Sequence, residues 1–218
     1  MKTRILLVDD HEMMREGLRS ILEREDDVEI IGEASSGREA VALSRTLAPE
    51  IVVMDVGMKD LNGIDATRQI RSDLPAVQVI ALSSHSDSRY VSAMLEAGAC
   101  GYVLKANAYS DLRRALDAAR CGKNYLCADV TKSVVDASIA GGGYPIGEIS
   151  AVALSDRERE VLQLLAEGLS SPQIAGRLFI ATSTVETHRR SIMRKLSIHN
   201  VADLTKWAIR EGLTELEG

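Results

Sequence analysis

Asp9, Asp10 and Asp55 stand out first, because each comes just after a short run of aliphatic residues, 5–8 for the pair and 51–54 for Asp55. Ser83 and Lys105 follow two further runs of the same kind, 77–82 and 101–104. Carboxylates brought together repel, and each is hard to keep ionised unless a cation that takes oxygen ligands sits among them; Mg²⁺ is such a cation. A carboxylate nucleophile beside a divalent ion, an ammonium and a hydroxyl suits phosphoryl transfer onto an aspartate. Any one of these acids alone could equally be a helix N-cap or a solvated loop residue. Five polar residues that all close such runs favour a shared pocket.

The runs must be strands for this to work, and their setting supports that. From residue 4 to about 121, the runs 5–8, 28–32, 51–54, 77–82 and 101–104 alternate with helical patterns such as Met13-Met14, Gly17-Leu18 and Ile21-Leu22. Such alternation builds parallel βαβ units, here an α/β flavodoxin-like (βα)5 sheet with helices on both faces. In that fold ligands gather at the carboxyl ends of the strands, and strands one and three are neighbours, so Asp9, Asp10 and Asp55 should converge. A flavodoxin-like enzyme or nucleotide binder is the rival reading. It lacks its usual glycine-rich loop here, since Asp9-Asp10-His11 would repel a phosphate unless a cation intervened.

Beyond Lys123 the pattern changes. A short helix is expected around 130–139, followed by Gly141-Gly142-Gly143-Tyr144-Pro145, which can hold neither helix nor strand. The predicted division is therefore a first domain at 1–122, a linker with a short helix at 123–153 and a second domain at 154–218. The second is all-α, with four short helices near 156–167, 171–178, 183–197 and 200–210. Ser155 with Glu158, Ser170 with Gln173 and Ser183 with Glu186 each have capping-box spacing. Pro172 falls in a first helical turn, where its missing N–H costs nothing.

Charge is divided along the chain. Residues 151–218 balance nine Lys and Arg against nine Asp and Glu, so the whole net charge of -6 belongs to residues 1–150. Within the balanced half, Arg189, Arg190, Arg194 and Lys195 crowd one predicted helix. Val185, Ile192 and Leu196 fall near one stripe of it with Arg189 a turn from Val185, while Glu186, Thr187, Arg190, Arg194 and Lys195 face the other way. A helix packed on one side and basic on the other can enter the DNA major groove.

Other classes drop out. No apolar run approaches the roughly 20 residues of a membrane helix, and the acidic pair Asp9-Asp10 ends the first apolar stretch too early for a signal peptide. A cytoplasmic protein with no membrane contact is expected. Cys100, Cys121 and Cys127 are odd in number without CxxC spacing, so reduced thiols are the default. His11, His85, His188 and His199 are scattered and indicate no transition-metal site.

The segments ILLVDDH from Ile5, VMDVGM from Val53, GIDAT from Gly63, VIALS from Val79 and AGACGYVLK from Ala97 resemble the receiver blocks of two-component response regulators, over about residues 3–122. LSDREREVL from Leu154, Ile174-Ala175 and STVETHRRSIMRKL from Ser183 resemble the helix-turn-helix of the LuxR/NarL/FixJ class, over Leu154 to Leu213. The resemblance implies a phosphoacceptor role for Asp55 and Mg²⁺ held by Asp10, Asp55 and the Gly57 carbonyl with Asp9 as an outer acid. It makes Lys105 the phosphoryl partner and Ser83 with Tyr102 a switch pair, whose ring turns inward as the Ser83 hydroxyl moves toward the phosphoryl group. It implies base reading by Glu186, Thr187 and Arg190, backbone contacts from Thr184, Arg194 and Lys195, and a dimer contact through Val201 and Leu204. A sensor histidine kinase, double-stranded DNA and a homodimer on DNA are the implied partners. This chain departs from the receiver pattern at Met58-Lys59, where the family usually has Met-Pro, and has Ser83 where Thr is commoner.

Overall fold

The structure is a computed structural model and describes residues 2–139 and 154–214. The chain divides into two compact units, residues 1–147 and 148–218.

The first unit is a parallel sheet in the order β2-β1-β3-β4-β5-β6. Its elements in chain order are β1 (Thr3–Val8), α1 (Glu12–Leu22), β2 (Val28–Ala34), α2 (Gly37–Leu47), β3 (Ile51–Asp55), α3 (Gly63–Asp73), β4 (Gln78–Ser83), α4 (Ser88–Glu96), β5 (Gly101–Leu104), α5 (Ala108–Arg120), β6 (Tyr125–Leu126) and α6 (Ala128–Ile139). The central strands are apolar almost throughout because both faces are covered. Strand alternation divides their side chains between two cores. Leu6, Val8, Val52, Met54, Val79 and Ala81 pack with α2, α3 and α4. Ile5, Leu7, Val53, Ile80, Leu82 and Val103 pack with Leu18 and Leu22 of α1 and Leu112 and Leu116 of α5.

The sixth strand lies beyond the five that the sequence indicates. Residues 123–139, assigned there to the linker, carry β6, which pairs with β5 through Gly101↔Tyr125 and Tyr102↔Leu126. They also carry α6, which lies against α4 and β5 and places Val130 in the first core. Two residues of strand have no period to detect, whereas the helix near 130–139 was legible. The glycine-rich stretch 141–145 lies outside the described residues.

The second unit is α7 (Asp156–Ala166), α8 (Ser171–Leu178), α9 (Thr182–Leu196) and α10 (Val201–Arg210), around Val161, Leu162, Leu164, Ile174, Val185, Ile192 and Leu204. Two of the three expected capping boxes are present, at Ser155 with Glu158 and at Ser170 with Gln173. Pro172 lies in the first turn of α8, as its position indicated. The third box is corrected: α9 starts at Thr182 with Ala181 before it, and no side chain caps it. Glu186 instead meets Ser171 of α8, a partner distant in sequence. Among the described residues no helix is long and apolar enough to cross a membrane.

Candidate functional site: an acidic pocket and a basic helix

Strands β2 and β3 leave opposite sides of β1, which opens a crevice at the carboxyl end of the sheet. Asp9 and Asp10 follow β1 and Asp55 ends β3, so the strand register alone brings them to this crevice. Ligand atoms of Asp9, Asp10, His11 and Asp55 lie within 4.8 Å of one another. Asp9 and Asp55 are buried and Asp10 is half-buried. Lys105, just past β5, places its Nζ 2.8 Å from Asp9 Oδ2 and 2.9 Å from Asp55 Oδ2.

Three carboxylates against one ammonium leave the pocket short of positive charge. Burial first, then the Asp9 carboxylate, push the Asp55 carboxyl up to about 6 against the pull of Lys105. Burial alone would lower Lys105, but Asp55 and Asp9 hold it above the usual lysine value. The pocket is therefore compatible with a divalent cation: its converging donors are hard oxygens, and the charge deficit is of the sign a cation corrects. Gly57 is half-buried in the loop after β3, and its N–H donates to Asp55 Oδ1 at 3.3 Å. Lys59 in the same loop is exposed.

Three supporting contacts escaped sequence reasoning. Arg15, on the first turns of α1, donates from Nη1 to the Asp9 carbonyl at 2.7 Å. His11 places Nδ1 2.7 Å from Asp10 Oδ1, and its backbone N–H donates to Asp9 Oδ1 at 2.9 Å. Gly63, the first residue of α3, packs so closely on β3 that a Cβ there would lie 1.9 Å from the Asp55 carbonyl oxygen. The Arg15 partner is a backbone oxygen and the Gly63 neighbour is a backbone atom, so neither leaves a mark in residue types.

Ser83, the last residue of β4, is buried and accepts the His85 N–H at 3.0 Å. Tyr102, in the middle of β5, is wholly buried and donates its hydroxyl to the His85 carbonyl at 2.8 Å. Burial, only partly offset by Ser83, raises its phenol well above the usual tyrosine value. The two side chains thus meet on one loop, through the two backbone groups of His85. The Tyr102 ring lies in the first core, where β5 points it.

In the second unit α8 and α9 are joined by three residues, Phe179 to Ala181, with Phe179 in a left-handed conformation (φ 52°). Val185 and Ile192 are buried, Leu196 packs against the same core, and Thr184, Thr187, Arg190, Arg194 and Lys195 are exposed. Glu186 is committed inside the unit, accepting from Ser171 Oγ at 2.5 Å and from Arg189 Nη1 at 3.0 Å. Lys195 likewise donates to Glu158 Oε2 at 2.6 Å. Val201 is 39% exposed, but Leu204 is 0% exposed in the second core, which corrects its place in a dimer contact: α10 packs against α7 with Leu204 and Ala208, one turn apart, on its inner side.

The fold, the pocket and the helix-turn-helix define a class. The chain belongs to the response regulators of two-component systems, a receiver followed by a LuxR-type DNA-binding domain, and is a transcription regulator rather than an enzyme. Residues 5–117 match the response regulator receiver domain, and residues 152–208 match the bacterial regulatory proteins of the luxR family. The transcriptional regulatory protein LiaR of Bacillus subtilis is 38% identical over 210 residues, 96% of this chain and 98% of that relative. The transcriptional regulatory protein MctR of Rhizobium johnstonii is 33% identical over 217 residues, 100% and 98% of the two chains. Among solved structures, RcsB from Salmonella enterica serovar Typhimurium, bound to a promoter in the presence of a phosphomimetic beryllofluoride, superposes with a TM-score of 0.61 at 27% identity, covering 98% of this chain and 100% of that one.

Proposed function

We propose that a sensor histidine kinase delivers a phosphoryl group to Asp55, and that this modification controls dimerisation and binding of the second unit to double-stranded DNA. The observation that carries the reading is the ammonium of Lys105 bridging Asp9 and Asp55 at the carboxyl edge of the sheet. In the transfer, a carboxylate oxygen of Asp55 forms the new P–O bond as the P–N bond of a phosphohistidine breaks, and the electron pair of that bond leaves with the imidazole. Lys105 moves from its carboxylate partners toward the phosphoryl oxygens, and Ser83 donates its hydroxyl to them. Asp10, Asp55 and the Gly57 carbonyl would hold Mg²⁺, with Asp9 outside them. Bound there, the ion would neutralise charge on the transferred group. Tyr102 is the companion of Ser83, reporting the loop's rearrangement through its bond to His85.

The working division is a receiver at 1–122, a connecting segment at 123–153 whose first part attaches to the receiver's sheet, and a DNA-binding unit at 154–218. In that unit α9 is the recognition helix. Thr187 and Arg190 read base edges, while Thr184 and Arg194 meet the backbone. Paired half-sites suit a homodimer, because two modest affinities multiply when joined. A small phosphodonor with Mg²⁺ should label the wild-type protein and leave Asp55→Asn unlabelled. A labelled Asp55→Asn protein refutes the assignment. Beryllofluoride should strengthen gel shifts of genomic fragments, and equal shifts with and without it would disconnect the receiver from DNA binding.

A further inference from the structure

A recognition helix needs a defined roll about its own axis. Apolar contacts choose the inward side but are non-directional. A roll of about 20° carries a side-chain tip on a helix through roughly 2 Å, enough to break a hydrogen bond to a base edge. In this unit, Val185 and Ile192 supply the apolar choice, and polar groups grip α9 on both sides of that contact.

On one flank stands Glu158, buried at the start of α7. Its carboxylate accepts from Ser191 Oγ at 2.8 Å and from Lys195 Nζ at 2.6 Å, two residues one turn apart on α9. The same carboxylate caps α7 by accepting from the Ser155 N–H at 2.8 Å, so its own position is fixed. Burial pushes this carboxyl up, yet Lys195 and the Ser155 and Ser191 donors outweigh it and hold the carboxyl at about 2. On the other flank Ser171, buried in the first turn of α8, donates to Glu186 Oε1 at 2.5 Å and accepts from Arg189 Nη1 at 2.8 Å. Helical spacing puts Ser191 with Lys195 and Glu186 with Arg189 on opposite sides of the inward stripe. What remains outward is a straight row at i, i+4, i+7 and i+11: Ser183, Thr187, Arg190 and Arg194, all exposed.

We propose that Glu158 and Ser171 are positioning residues that fix the roll of α9, that Lys195 and Glu186 serve these clamps rather than the DNA, and that Ser183, Thr187, Arg190 and Arg194 form the row that faces the DNA. This rests on the reading of α9 as the recognition helix.

The test separates a clamp from a phosphate contact by salt dependence. A lysine that neutralises one phosphate contributes about 0.9 to the slope of log affinity against log salt, whatever the sequence. A clamp residue contributes nothing to that slope but sets how well the correct sequence is told from a wrong one. Full-length protein would be titrated against a duplex recovered by selection from random sequence and against its scrambled counterpart, between about 50 and about 200 mM salt. Arg194→Ala should lower the slope by about 0.9 on both duplexes. Lys195→Met and Glu158→Gln should leave the slope unchanged and cut the ratio of selected to scrambled affinity by about tenfold. The two together should cost no more than the worse of them alone, because they break one contact. Ser191→Ala, which keeps the Glu158–Lys195 pair, should give a smaller loss of the same kind, and it carries the test if a thermal melt shows Glu158→Gln unfolded.

A lowered slope with an unchanged ratio for Lys195→Met would make Lys195 a phosphate contact and overturn the clamp. If Arg194→Ala leaves the slope of the well-folded protein untouched, α9 is not the DNA-facing helix and the proposal falls with that reading.

Discussion

Replacing Asp55 by asparagine should make the metal-free protein more stable while it abolishes phosphorylation. Asp55 is buried beside Asp9 and Asp10, and its carboxyl is pushed from an ordinary 3.8 to about 6. Each pH unit of such a displacement costs the ionised form about 1.4 kcal/mol, so ionised Asp55 costs the fold about 3 kcal/mol at neutral pH. Asparagine removes that charge, and the value of about 6 already includes the pull of Lys105, but its two amide hydrogens are left to find acceptors. Offsetting about 1–2 kcal/mol for those hydrogens leaves a net gain of about 1–2 kcal/mol. Urea unfolding in a chelator, followed by far-ultraviolet circular dichroism, reads this directly. The sign with pH follows from a folded carboxyl raised above its unfolded value. Its favourable contribution is complete below about 4 and is lost as pH rises through about 6, so the wild type should be the more stable by about 1–2 kcal/mol near pH 4 and the variant by about 1–2 kcal/mol toward pH 7, with the gap closing and reversing between. Adding Mg²⁺ should recover stability in the wild type more than in the variant. A variant less stable than wild type at pH 7 without metal, or a gap that does not close toward pH 4, would refute the account of a charge-starved pocket.

Three further outcomes follow from the geometry. Gly63→Ala would drive a methyl into the Asp55 carbonyl, so the protein should lose about 2 kcal/mol and label poorly with a phosphodonor, both measurable on one preparation. Tyr102→Phe removes the donor 2.8 Å from the His85 carbonyl and should lower stability by about 1 kcal/mol in thermal melts, with little change at Asp55 itself. Glu158, depressed to about 2, contributes stability that is complete above about 4.5 and is lost as pH falls toward 2. Acid titration of the wild type should therefore unfold the second unit more steeply than acid titration of Glu158→Gln, a difference visible in the Trp207 fluorescence.

The acids of the pocket were legible because each is tied by one or two covalent steps to a strand end, and strand order then fixes where strand ends meet. Helices α7 to α10 were legible to within a residue or two because their apolar stripes and start signals agree. What failed shares a cause. Ser183 and Glu186 have capping spacing, but Glu186 had a better partner in Ser171, fifteen residues away in sequence. Leu204 looked available because spacing alone does not say which side of a short helix faces in. Lys195 read as a surface cation, since nothing local announces that Glu158, thirty-seven residues earlier, lies against it. Contacts between distant segments are made by packing, and packing is not written in local pattern.

The short sixth strand has a practical bearing on anyone cutting the molecule. A fragment ending at residue 122 would strip β6 from β5 and leave the backbone donors and acceptors of that strand open to solvent along one side. It would also uncover the pocket that Cys127 and Val130 fill beside Tyr102. An open strand edge flanked by bare apolar surface recruits other chains, so such a fragment should self-associate where one ending at residue 139 stays dispersed.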